Sequence, residues 1–441
     1  MGGRWQPPGP RLIRRCLLAC VVCGALVATA APLARADTGS ASQAGSAGPQ
    51  LDDQLDAAEA DGIGPRRKLV DWNHFEGPYF TVRVGGNFGY DYAAYAQDTE
   101  SKEQMTLSPA HGVRDFRLTF KGRFPTIPRL SYTLGYMYDG ASKSWRFRQT
   151  GLMVDVPELL GTIFVGRTKE GFSTNKIMVG TNIWTNERAT ISDALIPILA
   201  DGVKWTGRTH TGKFVYNVGY FWDELSQTES FNKYDSQLVG RVVWLPNLGT
   251  EKPLLHLALE ARWANANDGQ LQYRSRPESF QAQSYAIDTG KFPADHANVI
   301  GIEAYSQAGP LMFGTEYFFN QVSSAQTNNP FVHGGEVFTA YLFTGERHPY
   351  NTKGAFFEGV SPAQTVFEGG PGALEAVLRF SYSDLDSGTI RGGKFWRITP
   401  MLNWYLSDNV RVEFVYGYGA LDRFDLKGYT QFFQTRIQFQ L

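Results

Sequence analysis

The chain has 441 residues, among them 47 glycines, with 14% aromatics, only 19% charged residues and a formal net charge of −1. That composition excludes a disordered chain, and the near-neutral charge leaves no overall basic footprint for nucleic acid. No mature segment offers 18 consecutive apolar residues, which excludes a transmembrane helix.

Residues 1–36 read as a cleaved targeting segment. Arg11, Arg14 and Arg15 form a basic start, Leu17 to Ala31 an apolar stretch too short to span well, and Ala34-Arg35-Ala36 a cleavage signal before Asp37. Five arginines and no acid leave with it, so of 42 basic and 43 acidic residues the mature chain keeps 37 and 43. All three cysteines (Cys16, Cys20, Cys23) leave too, which excludes disulfides and zinc–thiolate sites. Residues 37–77 read as a periplasmic N-terminal tail or linker. Small residues dominate its start, LDDQLDAAEADG is an acidic stretch with the makings of a short helix, and Gly-Pro-Arg-Arg-Lys breaks it.

From Pro78 onward the period is two, the signature of strands with two unlike faces. In DFRLTFKGRF, Phe116, Leu118, Phe120 and Phe124 oppose Arg117, Lys121 and Arg123. In LLHLALEARW, Leu255, Leu257, Leu259 and Trp263 oppose His256, Glu260 and Arg262. In NVRVEFVYGY, Val410, Val412, Phe414, Tyr416 and Tyr418 oppose Arg411 and Glu413. The pattern predicts sixteen strands centred at roughly residues 85, 118, 133, 150, 163, 205, 217, 239, 259, 301, 316, 339, 378, 399, 414 and 435. Tyr and Trp recur near the ends of the apolar faces, as at Tyr90, Tyr92, Trp244, Trp263 and Trp404, which fits aromatic girdles at two membrane interfaces. The last strand, YTQFFQTRIQFQL, is apolar on one side and polar on the other. Pairing with the first strand to close a barrel, with lipid over the apolar face, removes an otherwise open edge. The predicted fold is all-β: a transmembrane antiparallel β-barrel of about sixteen strands, residues 78–441, with an inward-folded constriction loop.

Several stretches resemble the phosphate-selective porin O and P family of outer-membrane porins. The most specific is FTGERHPYNTKGAFFEGVSP (Phe343 to Pro362). GPGALEAVLRFSYSDLD, GRTKEGFSTNKIMVGTNIWTNERA, FWRITPMLNWYLSDNVRVEFVY and the closing QTRIQFQL carry the rest. The resemblance implies a sixteen-stranded barrel, a homotrimer and anion passage in the outer membrane of a Gram-negative bacterium. The expected partners are small inorganic anions, outer-membrane lipids and, during biogenesis, the barrel-assembly machinery. No cofactor and no metal are expected.

Selectivity in a pore comes from charges at the constriction and from its diameter. The irregular segment from Arg167 to Lys204 contains Lys169, Lys176, Arg188 and the apolar turn DALIPILADG. The expected eyelet is Arg167, Lys169, Lys176 and Arg188, with Arg117, Lys121 and Arg123 on a nearby wall and Arg146 and Arg148 extending the basic track. Arginine's forked donors suit oxyanions. The competing reading is a general porin for small polar solutes whose lumen arginines serve structure, with Glu260–Arg262, Glu375–Arg379 and Arg411–Glu413 as candidate pairs. Catalysis has no motif behind it: no G-x-S-x-G, H-E-x-x-H or Walker loop occurs, and the seven histidines are scattered.

Overall fold

The computed structural model describes residues 62–63, 72–222 and 233–441. The expected targeting segment (1–36), the acidic stretch and most of the expected tail (37–77) lie outside the described residues.

Sixteen antiparallel strands close into a barrel. They are β1 (Thr81–Gln97), β2 (Ala110–Arg123), β3 (Leu130–Asp139), β4 (Ser144–Val156), β5 (Gly161–Thr168), β6 (Ala200–Arg208), β7 (Phe214–Trp222) and β8 (Tyr234–Trp244), followed by β9 (Leu254–Ala266), β10 (His296–Ala308), β11 (Leu311–Ser323), β12 (Phe331–Leu342), β13 (Ala373–Ser387), β14 (Ile390–Tyr405), β15 (Val410–Arg423) and β16 (Leu426–Gln440). Each of the sixteen expected centres falls within one of them. Among the described residues no helix exceeds six residues, so the wall is crossed by strands alone.

The last strand does close on the first. β16 pairs β1 with Arg436 opposite Asp91 and Gln440 opposite Asn87, and the Leu441 amide donates to the Gly86 carbonyl at 2.7 Å. The seam carries a two-pronged ion pair, Arg436 Nε and Nη2 to the Asp91 carboxylate at 2.6 and 2.7 Å. β1 runs past the end of β16, and its remaining edge is taken by His74–Glu76.

Alternation sorts the side chains as the period requires. Leu259 and Ile437 are 62% and 51% exposed on the outer face, while Arg241 and Arg262 are at most 2% exposed on the inner one. Leu238, Val242, Leu378, Phe414 and Phe433 join the outer band, an apolar surface larger than water-soluble proteins leave bare and one that lipid covers. Aromatic contacts knit it together at its margins, as where Tyr136 stacks on Trp145 at 5.1 Å. Among the described residues, four register shifts interrupt the alternation, two of them between β1 and β4. Between β1 and β2, Gly89 faces Asp115 and Tyr90 faces Val113, which leaves Arg114 as the extra residue. Between β3 and β4, Leu134 faces Thr150 and Tyr136 faces Phe147.

Three connections turn into the barrel: 169–199 and 267–295 from one end, and 343–372 from the end where β1 begins and β16 finishes. The first contains the short helices α1 (Thr174–Ile177) and α2 (Thr190–Leu195). Its apolar residues Ile191, Ala194, Leu195 and Ile196 are buried with Phe221, Val239, Val299 and Phe318 of the wall. Trp184 stacks on Phe338 at 4.6 Å and meets Phe357 edge-on. Within 343–372, Tyr350–Asn351 pair with Phe356–Phe357 on one side and with Gly62–Ile63 on the other. The Tyr350 hydroxyl lies 2.8 Å from His256 Nδ1 on β9. The β7–β14 side of the lumen is therefore packed, and open space remains along β2–β4.

Candidate functional site

The loop 169–199 is held at its tip by four carboxylates that successive strands β9 to β12 present to the lumen. Glu260 accepts from the Ser173 amide at 2.6 Å, and Glu303 accepts from the Thr174 amide at 2.5 Å and its hydroxyl at 2.9 Å. Glu316 accepts from the Ser173 hydroxyl at 2.5 Å and the Asn175 amide at 2.8 Å, and Glu336 from Asn175 Nδ2 at 2.5 Å. These bonds satisfy amides that open α1, which has no helical partners for them. They also hold Ser173 at φ 67°, a conformation that a serine adopts at a cost. Gly171, at φ 86°, makes the turn that precedes it.

At the other end of α1 two cations converge on carbonyl oxygens. Lys169 Nζ donates to the Ile177 carbonyl at 2.8 Å and to that of Met178, and Arg188 donates to Asn175 O at 2.9 Å and Met178 O at 3.0 Å. Lys176 reaches Asp193 at 2.6 Å. The helix is thus fixed by carboxylates at its amide end and cations at its carbonyl end, the arrangement its dipole favours.

Beside this loop lies a cavity of about 320 Å³. Six of the nine expected site residues line it: Arg117, Arg146, Arg148, Lys169, Lys176 and Arg188. Three do not. Arg167 lies on β5, buried, with Nη1 3.3 Å from Asp201 and Nε 3.1 Å from the Phe147 carbonyl. The strand runs on to Thr168, so the irregular segment starts two residues later than expected. Lys121 and Arg123 sit further along β2, toward the end where β1 begins. Three more cations line the cavity: Arg114, turned inward at the bulge, and Arg274 and Arg276 from the loop 267–295. The 29-residue length of that loop and its Arg-Ser-Arg-Pro-Glu-Ser-Phe run were the available signals.

Against these nine basic residues stand four acids, and each has a cation beside it. Glu187 accepts from Arg114 at 2.8 Å and Arg436 at 2.5 Å. Asp193 is held by Lys176, Glu278 by Arg379, and Asp139 lies 3.9 Å from Arg146. The surplus is positive, and the titrating groups of the loop register it. Burial first, and then the charges of Arg188, Arg148, Arg117 and Lys176, hold the Lys169 ammonium well below lysine's ordinary 10.5. Burial pushes the Glu187 carboxyl upward, but Arg114 and Arg436 outweigh it and hold the group below its usual range. A second, smaller space continues past Arg117 and Arg188 to Asn87, Thr181 and Gln438.

Arg241, Arg262, Arg379 and Arg411 meet carboxylates, mostly across strands and not along them, while Arg397 donates to the Pro277 and Glu278 carbonyls and to Gln434. Arg241 pairs Glu260 at 3.1 Å and Glu303 at 2.8 Å, Arg262 pairs Glu170 at 3.4 Å, and Arg379 pairs Glu278 and Glu336. The expected Glu260–Arg262 and Glu375–Arg379 pairs do not form. Glu375 instead meets His348 at 2.6 Å, and His256 meets Glu303 at 2.9 Å. Arg411–Glu413 does form.

The model of the family described as phosphate-selective porin O and P matches residues 82–441. An uncharacterized protein of Caulobacter vibrioides is 28% identical over 249 residues, 54% of this chain and 48% of that one, so the chain spans about half the length of that curated relative. Among solved structures, the outer-membrane channel DcaP of Acinetobacter baumannii is 10% identical with a TM-score of 0.53, over 83% of this chain and 99% of that one. The trimer form of in-vitro folded OmpT, an outer-membrane protein of Vibrio cholerae, is 12% identical with a TM-score of 0.51, over 82% and 100%. At such identities these two likenesses speak for the barrel fold alone. The family match, by contrast, runs from the first barrel strand to the final residue: the chain belongs to the phosphate-selective porin O and P family, porins of the Gram-negative outer membrane.

Proposed function

We propose that the protein is a passive channel for small anions, phosphate and other oxyanions among them, which cross beside Lys169, Arg188, Arg117 and Arg148. The observation that carries the reading is the charge of the cavity: nine basic residues, and four acids each already engaged by a cation. An anion entering it gains several weak, forked contacts, enough to favour entry and weak enough to allow exit. The working form is a homotrimer, a reading supported by the trimer form of OmpT from Vibrio cholerae. Lipid around the outer band and the barrel-assembly machinery are its other partners.

A second reading, a general porin for small polar solutes, draws on Arg241, Arg262, Arg379, Arg411 and Arg436, all buried and all paired with carboxylates. Competition separates the two. Under the anion reading, phosphate added at constant ionic strength lowers the chloride current through a single channel in a saturating way. A current that follows only the bulk conductivity of the mixture favours the general porin.

A further inference from the structure

The cavity has a second character that bare oxyanions do not use. Part of its lining is apolar: Met137 on β3, Ile196 and Ile198 at the end of the constriction loop, and Phe280 and Tyr285 from the loop 267–295. Both rings are half-buried, and both are faced by guanidinium groups. Arg114 lies 3.9 Å and Arg276 5.6 Å from the centre of the Phe280 ring, and Arg274 lies 4.6 Å from that of Tyr285. A hydrated phosphate gains nothing from such a surface, because its shell stays in place against hydrocarbon. A flat arene gains from it twice. It covers apolar area that water otherwise wets, and it offers its own face to the guanidinium planes. The volume, about 320 Å³, falls at the lower end of the roughly 300–1,000 Å³ usual for small-molecule sites.

We propose that the cavity prefers anions that carry a flat apolar body, with aromatic carboxylates as the simplest class, over small aliphatic or inorganic anions of the same charge. The carboxylate meets the cations of the constriction loop and of β2–β4, and the ring lies among Phe280, Tyr285 and the arginines stacked on them. The inference rests on the anion-channel reading and names its substrate class. It assigns the loop 267–295 a selecting role beside that of 169–199. The two loops meet directly, with the Thr190 amide 3.2 Å from the Glu278 carboxylate.

The test uses the refolded full-length mature chain in a planar bilayer, with benzoate, cyclohexanecarboxylate and acetate each added at the same ionic strength. All three carry one negative charge, so their differences report the body and not the head. Benzoate is expected to half-block the chloride current at about a tenth of the acetate concentration, the size set by burying one ring face, with cyclohexanecarboxylate between them. In Phe280→Ala and, separately, Tyr285→Ala, the ratio of acetate to benzoate half-block concentrations is expected to fall at least threefold. Equal block by benzoate and acetate in the unaltered protein overturns the inference, whatever the variants do. If that equality comes with an anion-selective reversal potential, only the substrate class fails. If it comes with no anion preference at all, the channel reading fails with it.

Discussion

Replacing Arg241 by alanine is expected to destabilise the folded barrel by about 3–5 kcal/mol, the usual range when one partner of a buried ion pair is removed. Arg241 is fully buried on β8 and donates to Glu260, Glu303, the Thr174 hydroxyl at 2.7 Å and the Ala355 carbonyl at 3.1 Å. It therefore ties together the wall, the constriction loop and the inward segment 343–372. Without it, two carboxylates on adjacent strands face each other with little to offset their repulsion. The loop tip that hangs from them loses its support. Urea titration of the protein refolded in lipid vesicles measures the cost. Pairing Arg241→Met with Glu303→Gln removes the cation together with one of the charges it balances, and is expected to recover part of the loss. A single variant as stable as the parent would show that the carboxylate cluster is solvated and not a buried anchor.

The second large effect concerns selectivity. Arg148→Glu combined with Arg276→Glu changes the charge on two walls of the cavity by two units each. Two unit charges 4 Å apart in water interact by about 1 kcal/mol, more where water is partly excluded, so the anion-to-cation permeability ratio should fall at least about tenfold. The same exchange at Arg208, outside the cavity lining, is expected to change the ratio by less than twofold. Equal effects at the two places would assign selectivity to the net charge of the barrel and not to this cavity.

The barrel was legible because a strand period of two survives along nearly every spanning segment, and because lipid and lumen demand opposite chemistry from neighbouring residues. The constriction loop was legible as a long irregular segment holding Lys169, Lys176 and Arg188, and these three lie at the cavity. The boundaries were less so: Arg167 looks like loop in sequence, yet it completes β5, because β6 continues to pair with it through Asp201. Arg114 was hidden by the bulge opposite Gly89, since one extra residue turns a side chain that alternation assigns to lipid. Arg274 and Arg276 were hidden for a different reason. The length and the arginine-bearing run of 267–295 mark it as a functional loop but do not say that it folds inward, a choice made by Arg397, whose guanidinium donates to the carbonyls of Pro277 and Glu278 at 3.0 and 2.9 Å. Pair partners were the least legible. Residues two apart on a strand compete with residues on the neighbouring strand, and Glu260 meets Arg241 on β8 in place of Arg262 on its own strand.

Whether the charge of this cavity makes the channel select anions is read from the reversal potential of the purified, refolded protein in a planar bilayer under a KCl gradient. The potential is expected to lie well toward the chloride equilibrium value, and to shrink as salt rises and screens the wall. A potential near zero, or one displaced toward potassium, would contradict that selectivity and leave a general porin whose arginines hold the barrel together.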